Sequence, residues 1–355
     1  MSDKSKGQHR IGMANIGNTC FLNSSVQALR YTKPLAEYLC GETWKQHRHP
    51  EKKGHELVEE TSEIFKILCT EGEGRMVVPG KFVHAFMKFS EEAGFDAIRN
   101  GGQADAAEAI QIILDGIHTQ QAREVIMNIT GKSETAEERE YIRSLESWAS
   151  FFRKEYSPIV SIFFGQSKAN VVCENCHHTT TSRYDPLEIM KLPIPGSDTA
   201  GAPAPTLNEC IEASLANEKL EDYVCDGCKQ KGTASVKYAI SRFPDKLILS
   251  LKRFTNRGEK VHALIRYDPD CIDFSPWNAW PTIPNTKNCQ YRVYAVIDHY
   301  GGMRGGHYNM RVRDDNGAKP EWLLYDDGSC TSSSAGGSPS PDTYVIFLEK
   351  ITAYI

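Results

Sequence analysis

No long apolar run occurs in this sequence. Stretches such as Ile159 to Phe164 fall far short of the ~20 residues that a membrane-spanning helix needs. The start, Met1 to Arg10, is polar and lacks the apolar core of a secretory leader. Positive charge is not in excess either, since 41 Lys and Arg stand against 46 Asp and Glu, a net charge of -5. That balance gives no general pull toward nucleic acid, and the basic stretch His47 to Lys53 reads as a solvated loop. Internal repeats are absent. A paired disulfide framework is not indicated, because the eleven cysteines are odd in number and follow no leader. The expectation is a soluble intracellular protein, cytoplasmic or nuclear, with no membrane or nucleic-acid partner and with reduced thiols free for metal binding or catalysis.

The front half carries helical periodicity. Phe21 to Leu29 reads as a helix with Asn18 or Thr19 as its cap, which places Cys20 in the first turn. Ala104 to His118 sets Ala106, Ala109, Ile110, Ile113, Leu114 and Ile117 on one core-facing stripe. Glu134 to Tyr156 is a third helical stretch. From Ile159 onward short alternating runs predict strands at Ser161–Phe164, Val171–Val172, Lys246–Leu251, Tyr291–Ile297, His307–Arg313, Trp322–Tyr325 and Thr343–Phe347. Residues 195–205 and 331–341 read as loops. A helical front followed by a strand-rich back indicates an α+β fold.

Three groups of residues carry chemistry. The first is Gly12-Met-Ala-Asn15-Ile-Gly17-Asn18-Thr19-Cys20-Phe21-Leu-Asn23-Ser24. A thiol at a helix N-terminus sits where backbone N–H groups favour the nucleophilic thiolate. The second is His307, which follows Gly305-Gly306 and opens a strand; a thiol nucleophile needs such a base. The third is the pair of CxxC knuckles, Cys173-Glu-Asn-Cys176 and Cys225-Asp-Gly-Cys228. Two knuckles supply the four sulfurs of one structural zinc ion and leave no open position for water. Cys173 to His177 also spells the c-type haem attachment pattern, but the second knuckle favours zinc.

The first string resembles the Cys box of the ubiquitin-specific proteases at nearly every position. Tyr294-Ala-Val-Ile-Asp-His299-Tyr-Gly301, with Gly306-His307-Tyr308, is similar to that family's His box, and Trp322-Leu-Leu-Tyr325-Asp326-Asp327 to its acidic segment. Phe243 to Phe254 is similar to its L-K-R-F strand. The resemblance implies Cys20 as nucleophile, Asn15 as oxyanion donor, His307 as base, Asp326 as its orienter and Asp327 as a neighbouring helper. Gly102-Gln103-Ala104-Asp105-Ala106-Ala107-Glu108 resembles a further box but lacks its second Gln, its His and its Phe. From it Asp105 and Glu108, three apart on one helix face, are expected to hold the arginines of ubiquitin's tail. Phe254, His299 and Tyr308 map to the tail channel. The family's Ser and valine-containing turn is replaced by Gly328-Ser329-Cys330 and a Ser/Gly-rich stretch.

By this resemblance the fold is papain-like, with thumb, palm and fingers and a zinc ribbon in the fingers. Residues 1–10 form a polar tail and 11–355 one catalytic domain, with the thumb at 11–158, mainly fingers at 159–245 and mainly palm at 246–355. The expected function is hydrolysis of the peptide or isopeptide bond after ubiquitin's C-terminal glycine in ubiquitin-conjugated proteins, with an activating protein as a further partner. Two alternatives stand beside it: an inactive ubiquitin-binding scaffold, and a protease for another ubiquitin-like modifier.

Overall fold

The computed structural model describes residues 10–70, 75–95, 104–196, 203–255, 257–302, 305–315 and 319–351. Most of the polar tail, and Gly102 and Gln103 of the box before Asp105, lie outside these residues. The chain begins with strand β1 (Gly12–Met13) and passes through a turn at Gly17 and Asn18 into helix α1 (Cys20–Arg30). Helices α2 (Lys33–Cys40) and α3 (His55–Leu68), strand β2 (Met76–Val77), and helices α4 (Gly80–Ala93) and α5 (Ala106–Gln121) follow. Every residue of α1 is buried, so it is the central helix of this layer rather than an amphipathic surface helix. The stripe read from the sequence on α5 is buried throughout. Helix α6 (Ala136–Phe152) starts at a capping box, in which Thr135 accepts from the Glu138 amide and Glu138 reaches back to the Thr135 amide.

Ser161 to Phe164, expected as a strand, instead belongs mostly to helix α7 (Pro158–Phe163). Pro158 at the first helical position pre-sets φ and forfeits an amide that would be unpaired anyway. The buried Ile159, Val160, Ile162 and Phe163 supply apolar contact that a short run offers equally to helix or strand.

The remaining elements are β3 (Gly165–Cys173), β4 (Thr179–Leu187), β5 (Ile189–Leu192), α8 (Leu207–Ser214), β6 (Glu218–Val224), β7 (Lys231–Arg242), β8 (Lys246–Leu251), β9 (Ile272–Asp273), β10 (Gln290–Gly302), β11 (Gly305–Asp314), β12 (Glu321–Asp326), β13 (Ser329–Ser332) and β14 (Thr343–Lys350). They form two larger sheets. One has the order β4-β3-β7-β6, all antiparallel, and its outer strand β6 is almost wholly exposed. The other has the order β13-β12-β11-β10-β14-β8-β5, with β9 also paired to β10. Its β5–β8 pair is parallel and its other pairs are antiparallel.

This large sheet is covered on both faces, which explains why its central strands are apolar runs rather than alternations. Ile248, Val345 and Phe347 face the core that includes α1, whereas Leu247, Leu249, Leu251, Ile346 and Leu348 face a second core under α8. The period-2 alternation of side chains divides each strand between the two cores. The architecture is α+β, with a helical layer, an extended four-stranded sheet and a broad sheet.

Candidate functional site

Cys20 is the first residue of α1 and lies against β11; only 2% of it is exposed. Thr19 occupies the N-cap position without a side-chain cap bond to the helix. Its amide and hydroxyl point instead to Asn15, whose Oδ1 accepts from the Thr19 N–H at 3.0 Å. Burial pushes the Cys20 thiol up from its ordinary range, and the nearby Asp327 carboxylate adds to that. The Tyr308 amide and the amides that open α1 act in the opposite direction but do not prevail. Among the described residues no hydrogen bond joins the thiol to His307.

The partner groups come from the far end of the large sheet. β10 and β11 pair with Tyr300 opposite His307 and His299 opposite Tyr308. β11 and β12 pair with Met310 opposite Tyr325. Continuing that register puts Asp326 beside Asn309, and His307 two residues further on the same face, as a diagonal neighbour within reach of a polar side chain. His307 Nε2 and Asp326 Oδ1 are 2.5 Å apart. This contact uses one ring nitrogen and leaves Nδ1 for a second partner.

Asp327 turns the chain with a left-handed φ of 46°. Its carboxylate accepts from Asn15 Nδ2 at 3.0 Å and from Asn23 Nδ2 at 2.8 Å, and its carbonyl accepts from the Met13 amide at 2.9 Å. The next residue packs so closely on β1 that a Cβ on Gly12 would lie 2.2 Å from the Gly328 carbonyl oxygen. Only glycine at position 12 permits this approach. The turn after Asp326 is thereby fastened to the loop that leads into Cys20, although more than 300 residues separate them in sequence.

A second group lies beside the thiol. Phe254, His299, Tyr308 and Tyr344 form one aromatic cluster, with ring centroids between 4.5 and 6.1 Å apart. A Cβ on Gly306 would meet His299 Nε2 at 2.3 Å, so the glycine beside His307 is required by the imidazole packed behind it. Burial holds His299 down at about 4, with the Lys260 ammonium as the next cause, so it is neutral at pH 7. Lys260 donates to the His299 carbonyl and to Asp342.

Asp105 departs from expectation. It is not on the helix face with Glu108 but is the N-cap of α5, where its Oδ1 accepts from the Ala107 and Glu108 amides. Its other oxygen accepts from the Tyr344 hydroxyl. Glu108 stands in the first turn, its carboxyl raised by partial burial and by Asp105. Asn23, Tyr344 and Lys260 were missed in the sequence. Asn23 stood inside the Cys20 string, but the partners of the other two are fixed only by the fold.

The four cysteines meet where two hairpins end. Cys173 to Cys176 joins β3 to β4, and Cys225 to Cys228 joins β6 to β7. The two knuckles repeat one geometry. His177 and Lys229 have φ of 57° and 59°, and their amides donate to the Cys173 and Cys225 carbonyls at 2.9 and 2.8 Å. All four sulfurs lie within 4.8 Å of one another, and the Cys173–Cys228 and Cys176–Cys225 pairs are 4.0 and 3.6 Å apart. A tetrahedron with metal–sulfur bonds of ~2.3 Å has sulfur–sulfur edges of ~3.8 Å, whereas a disulfide needs ~2 Å. The cluster therefore has spacing that fits a metal ion. Backbone amides of Cys228 and Gly227 lower the Cys225 thiol from its ordinary range, whereas its partner Cys176 is raised.

A thiol on a helix N-terminus, beside the Tyr308 amide that follows an imidazole paired with a carboxylate, brings together the group types of the thiol hydrolases. The sequence model of one such family, the ubiquitin carboxyl-terminal hydrolases, matches residues 11–353, and the chain belongs to that family. It is 28% identical over 357 residues to human ubiquitin carboxyl-terminal hydrolase 2, covering 98% of this chain and 56% of that protein. Human ubiquitin carboxyl-terminal hydrolase 21 is 27% identical over 367 residues, covering 97% and 62%. The chain thus spans little more than half the length of these relatives. The fold resembles the SAGA Ubp8/Sgf11/Sus1/Sgf73 DUB module bound to ubiquitin aldehyde, with a TM-score of 0.72 at 18% identity over 99% of this chain and 71% of that one. Among the described residues no helix is long and apolar enough to cross a membrane.

Proposed function

We propose that this chain is a deubiquitinating thiol protease that cleaves the peptide or isopeptide bond after ubiquitin's C-terminal glycine. The observation that supports the reading most is the Asp327 carboxylate, which bonds Asn15, lies near the Cys20 thiol and groups with His307 and Asp326, within a chain of this family. Cys20 attacks the glycine carbonyl, and His307 removes the thiol proton and later returns it to the departing amine. Asp326 holds the imidazole by its Nε2 so that Nδ1 serves the thiol. Asn15, fixed by Asp327 and the Thr19 amide, donates to the oxyanion. The thioester then yields to a water that His307 activates.

Asp105, Glu108, Phe254, His299 and Tyr308 are assigned to ubiquitin's tail. Asp105 holds the aromatic wall through Tyr344, and Glu108 carries the freer carboxylate for an arginine. A channel walled by aromatic rings and a hairpin of glycines suits Gly-Gly and rejects larger side chains. The ubiquitin aldehyde in the similar module supports ubiquitin itself as the modifier. Cys173, Cys176, Cys225 and Cys228 are assigned to one structural zinc, which would lock the fingers. Residues 11–158 act as thumb, 159–245 mainly as fingers and 246–355 mainly as palm, in a protein of the cytoplasm or nucleus. The thiol that burial holds protonated supports a resting state, which ubiquitin or an activating protein partner brings into alignment.

Hydrolysis of ubiquitin carrying a C-terminal fluorogenic amide tests the reading. The zinc-loaded chain is expected to release the fluorophore, and release from ubiquitin-like modifiers is expected to be slower. Equal or faster release from another modifier would reassign the substrate. The resting state has its own test, the rate of Cys20 alkylation by iodoacetamide against pH. Because the thiol is raised and only the thiolate reacts, the rate without ubiquitin is expected to climb beyond the ordinary thiol midpoint of ~8.5. A plateau reached by pH 7 would show an already formed thiolate–imidazolium pair.

A further inference from the structure

No step of the proposed reaction uses Asn23, yet its surroundings tie it to the site. It lies on α1 three residues after Cys20, about one turn further along the same helix, and is buried. Its Nδ2 donates to the Asp327 carboxylate at 2.8 Å and to the Met13 and Ala14 carbonyls at 3.2 and 3.3 Å. Three acceptors around one amide nitrogen fix which end of the side chain is which. The other end, Oδ1, is buried and has no hydrogen-bond partner among the described residues. A buried acceptor left unmatched opposes folding. What this side chain contributes therefore lies on its nitrogen.

That nitrogen links the helix of the thiol to the loop before it. Asp327 divides its carboxylate between two amides, with Oδ1 accepting from Asn23 and Oδ2 from Asn15 Nδ2 at 3.0 Å. Asn15 Oδ1 accepts in turn from the Thr19 and Gly17 amides at 3.0 and 3.3 Å. One Nδ2 hydrogen of Asn15 is thereby committed to Asp327, and the second remains for an oxyanion. A carboxamide held at both ends cannot turn about its own axis, so the direction of that second hydrogen follows from where the Asp327 carboxylate sits. The Met13 amide holds the Asp327 backbone at 2.9 Å, but the carboxylate is set by its two amide donors. Of these, the bond to Asn15 is exposed to competing water and the bond to Asn23 is part-buried, which makes Asn23 the firmer anchor.

We propose, resting on the protease reading above, that Asn23 is a positioning residue for the oxyanion donor. From the nucleophile's own helix it orients Asp327, which orients the remaining N–H of Asn15 toward the carbonyl that Cys20 attacks. Cys20 and Asn23 are both residues of α1, so one rigid element sets the attacking sulfur and, through Asp327, the group that receives the developing charge. In this scheme Asn23 contacts no reacting atom. Its influence falls on the transition state, where the carbonyl oxygen becomes charged, and not on the binding of ubiquitin.

The test is a double-mutant cycle on the zinc-loaded full chain, with Asn15→Ala, Asn23→Ala and the two combined, read as kcat and KM for ubiquitin carrying a C-terminal fluorogenic amide. Asn15→Ala is expected to lower kcat about 10²-fold, the loss typical of one oxyanion donor, and Asn23→Ala about tenfold or more, both with KM within about twofold of wild type. The combined variant is expected to stay within about threefold of Asn15→Ala alone, because Asn23 has no route to the transition state once Asn15 is gone. Losses that multiply in the combined variant, a rise in KM, or a kcat for Asn23→Ala within about twofold of wild type would each overturn the proposal. Asn23→Leu keeps the buried volume and serves the same cycle where the alanine variant fails to fold. A wild-type chain that releases no fluorophore would refute the protease reading itself, and the positioning role with it.

Discussion

Cys20→Ala is expected to abolish turnover of ubiquitin conjugates, with kcat falling on the order of 10⁴-fold or more, while ubiquitin still binds. The side chain is small and 2% exposed, so truncating its sulfur removes little contact surface. The groups proposed to hold ubiquitin's tail lie on other elements, Asp105 at the head of α5 and His299 and Tyr308 on β10 and β11. Loss of the nucleophile therefore falls on kcat and not on affinity. Steady-state hydrolysis read beside fluorescence anisotropy of labelled ubiquitin separates the two. Activity within tenfold of wild type would mean that another group attacks. Loss of binding together with turnover would mean that Cys20 acts through the fold.

The second large effect concerns the four-cysteine cluster. Strand β6 is exposed along almost its whole length, so the outer part of its sheet has little apolar core of its own. Its order rests on ladder hydrogen bonds and on the knuckles. Metal-bound cysteine clusters supply folding free energy outright where packing is thin, on the order of 10 kcal/mol in isolated zinc-finger peptides. Cys225→Ser, or removal of zinc by a chelator, is expected to open this sheet and expose residues 218–235 to limited proteolysis. The effect should be local at first. Cys20, His307 and Asp326 belong to elements anchored in a different core, so Cys20 should still react with iodoacetamide at close to its normal rate. KM for ubiquitin should rise far more than kcat falls. A sheet that stays protease-resistant after the metal is stripped would contradict the assignment.

What the sequence made legible was local chemistry. Cys20 on a helix N-terminus, His307 behind its glycines and the two CxxC knuckles are contiguous strings; in the structure the four knuckle sulfurs lie together and His307 meets Asp326. The stripe on α5 was readable because periodicity reports a buried face directly. Ser161 to Phe164 misled because an apolar run that short has no period, although Pro158 just before it was a helix-start signal. Asp105 was placed on a helix face, yet Asp105-Ala-Ala-Glu108 is the spacing of an N-cap with an acid in the first turn. The remaining features were not readable at all. The bonds from Asp327 to Asn15 and Asn23 and from Tyr344 to Asp105 join residues more than 200 positions apart. Nothing local announces them, because they follow from the register of the large sheet and the packing of β1 against the turn at Gly328.

The measurement that bears most directly on the central claim is reaction of the zinc-loaded chain with ubiquitin carrying a C-terminal electrophile, followed by mapping of the adduct. A single covalent adduct at Cys20, lost in Cys20→Ala and much slower in His307→Ala, is the result expected of a ubiquitin-cleaving thiol protease. Tight binding of ubiquitin without any adduct would contradict it and identify the chain as a ubiquitin-binding scaffold.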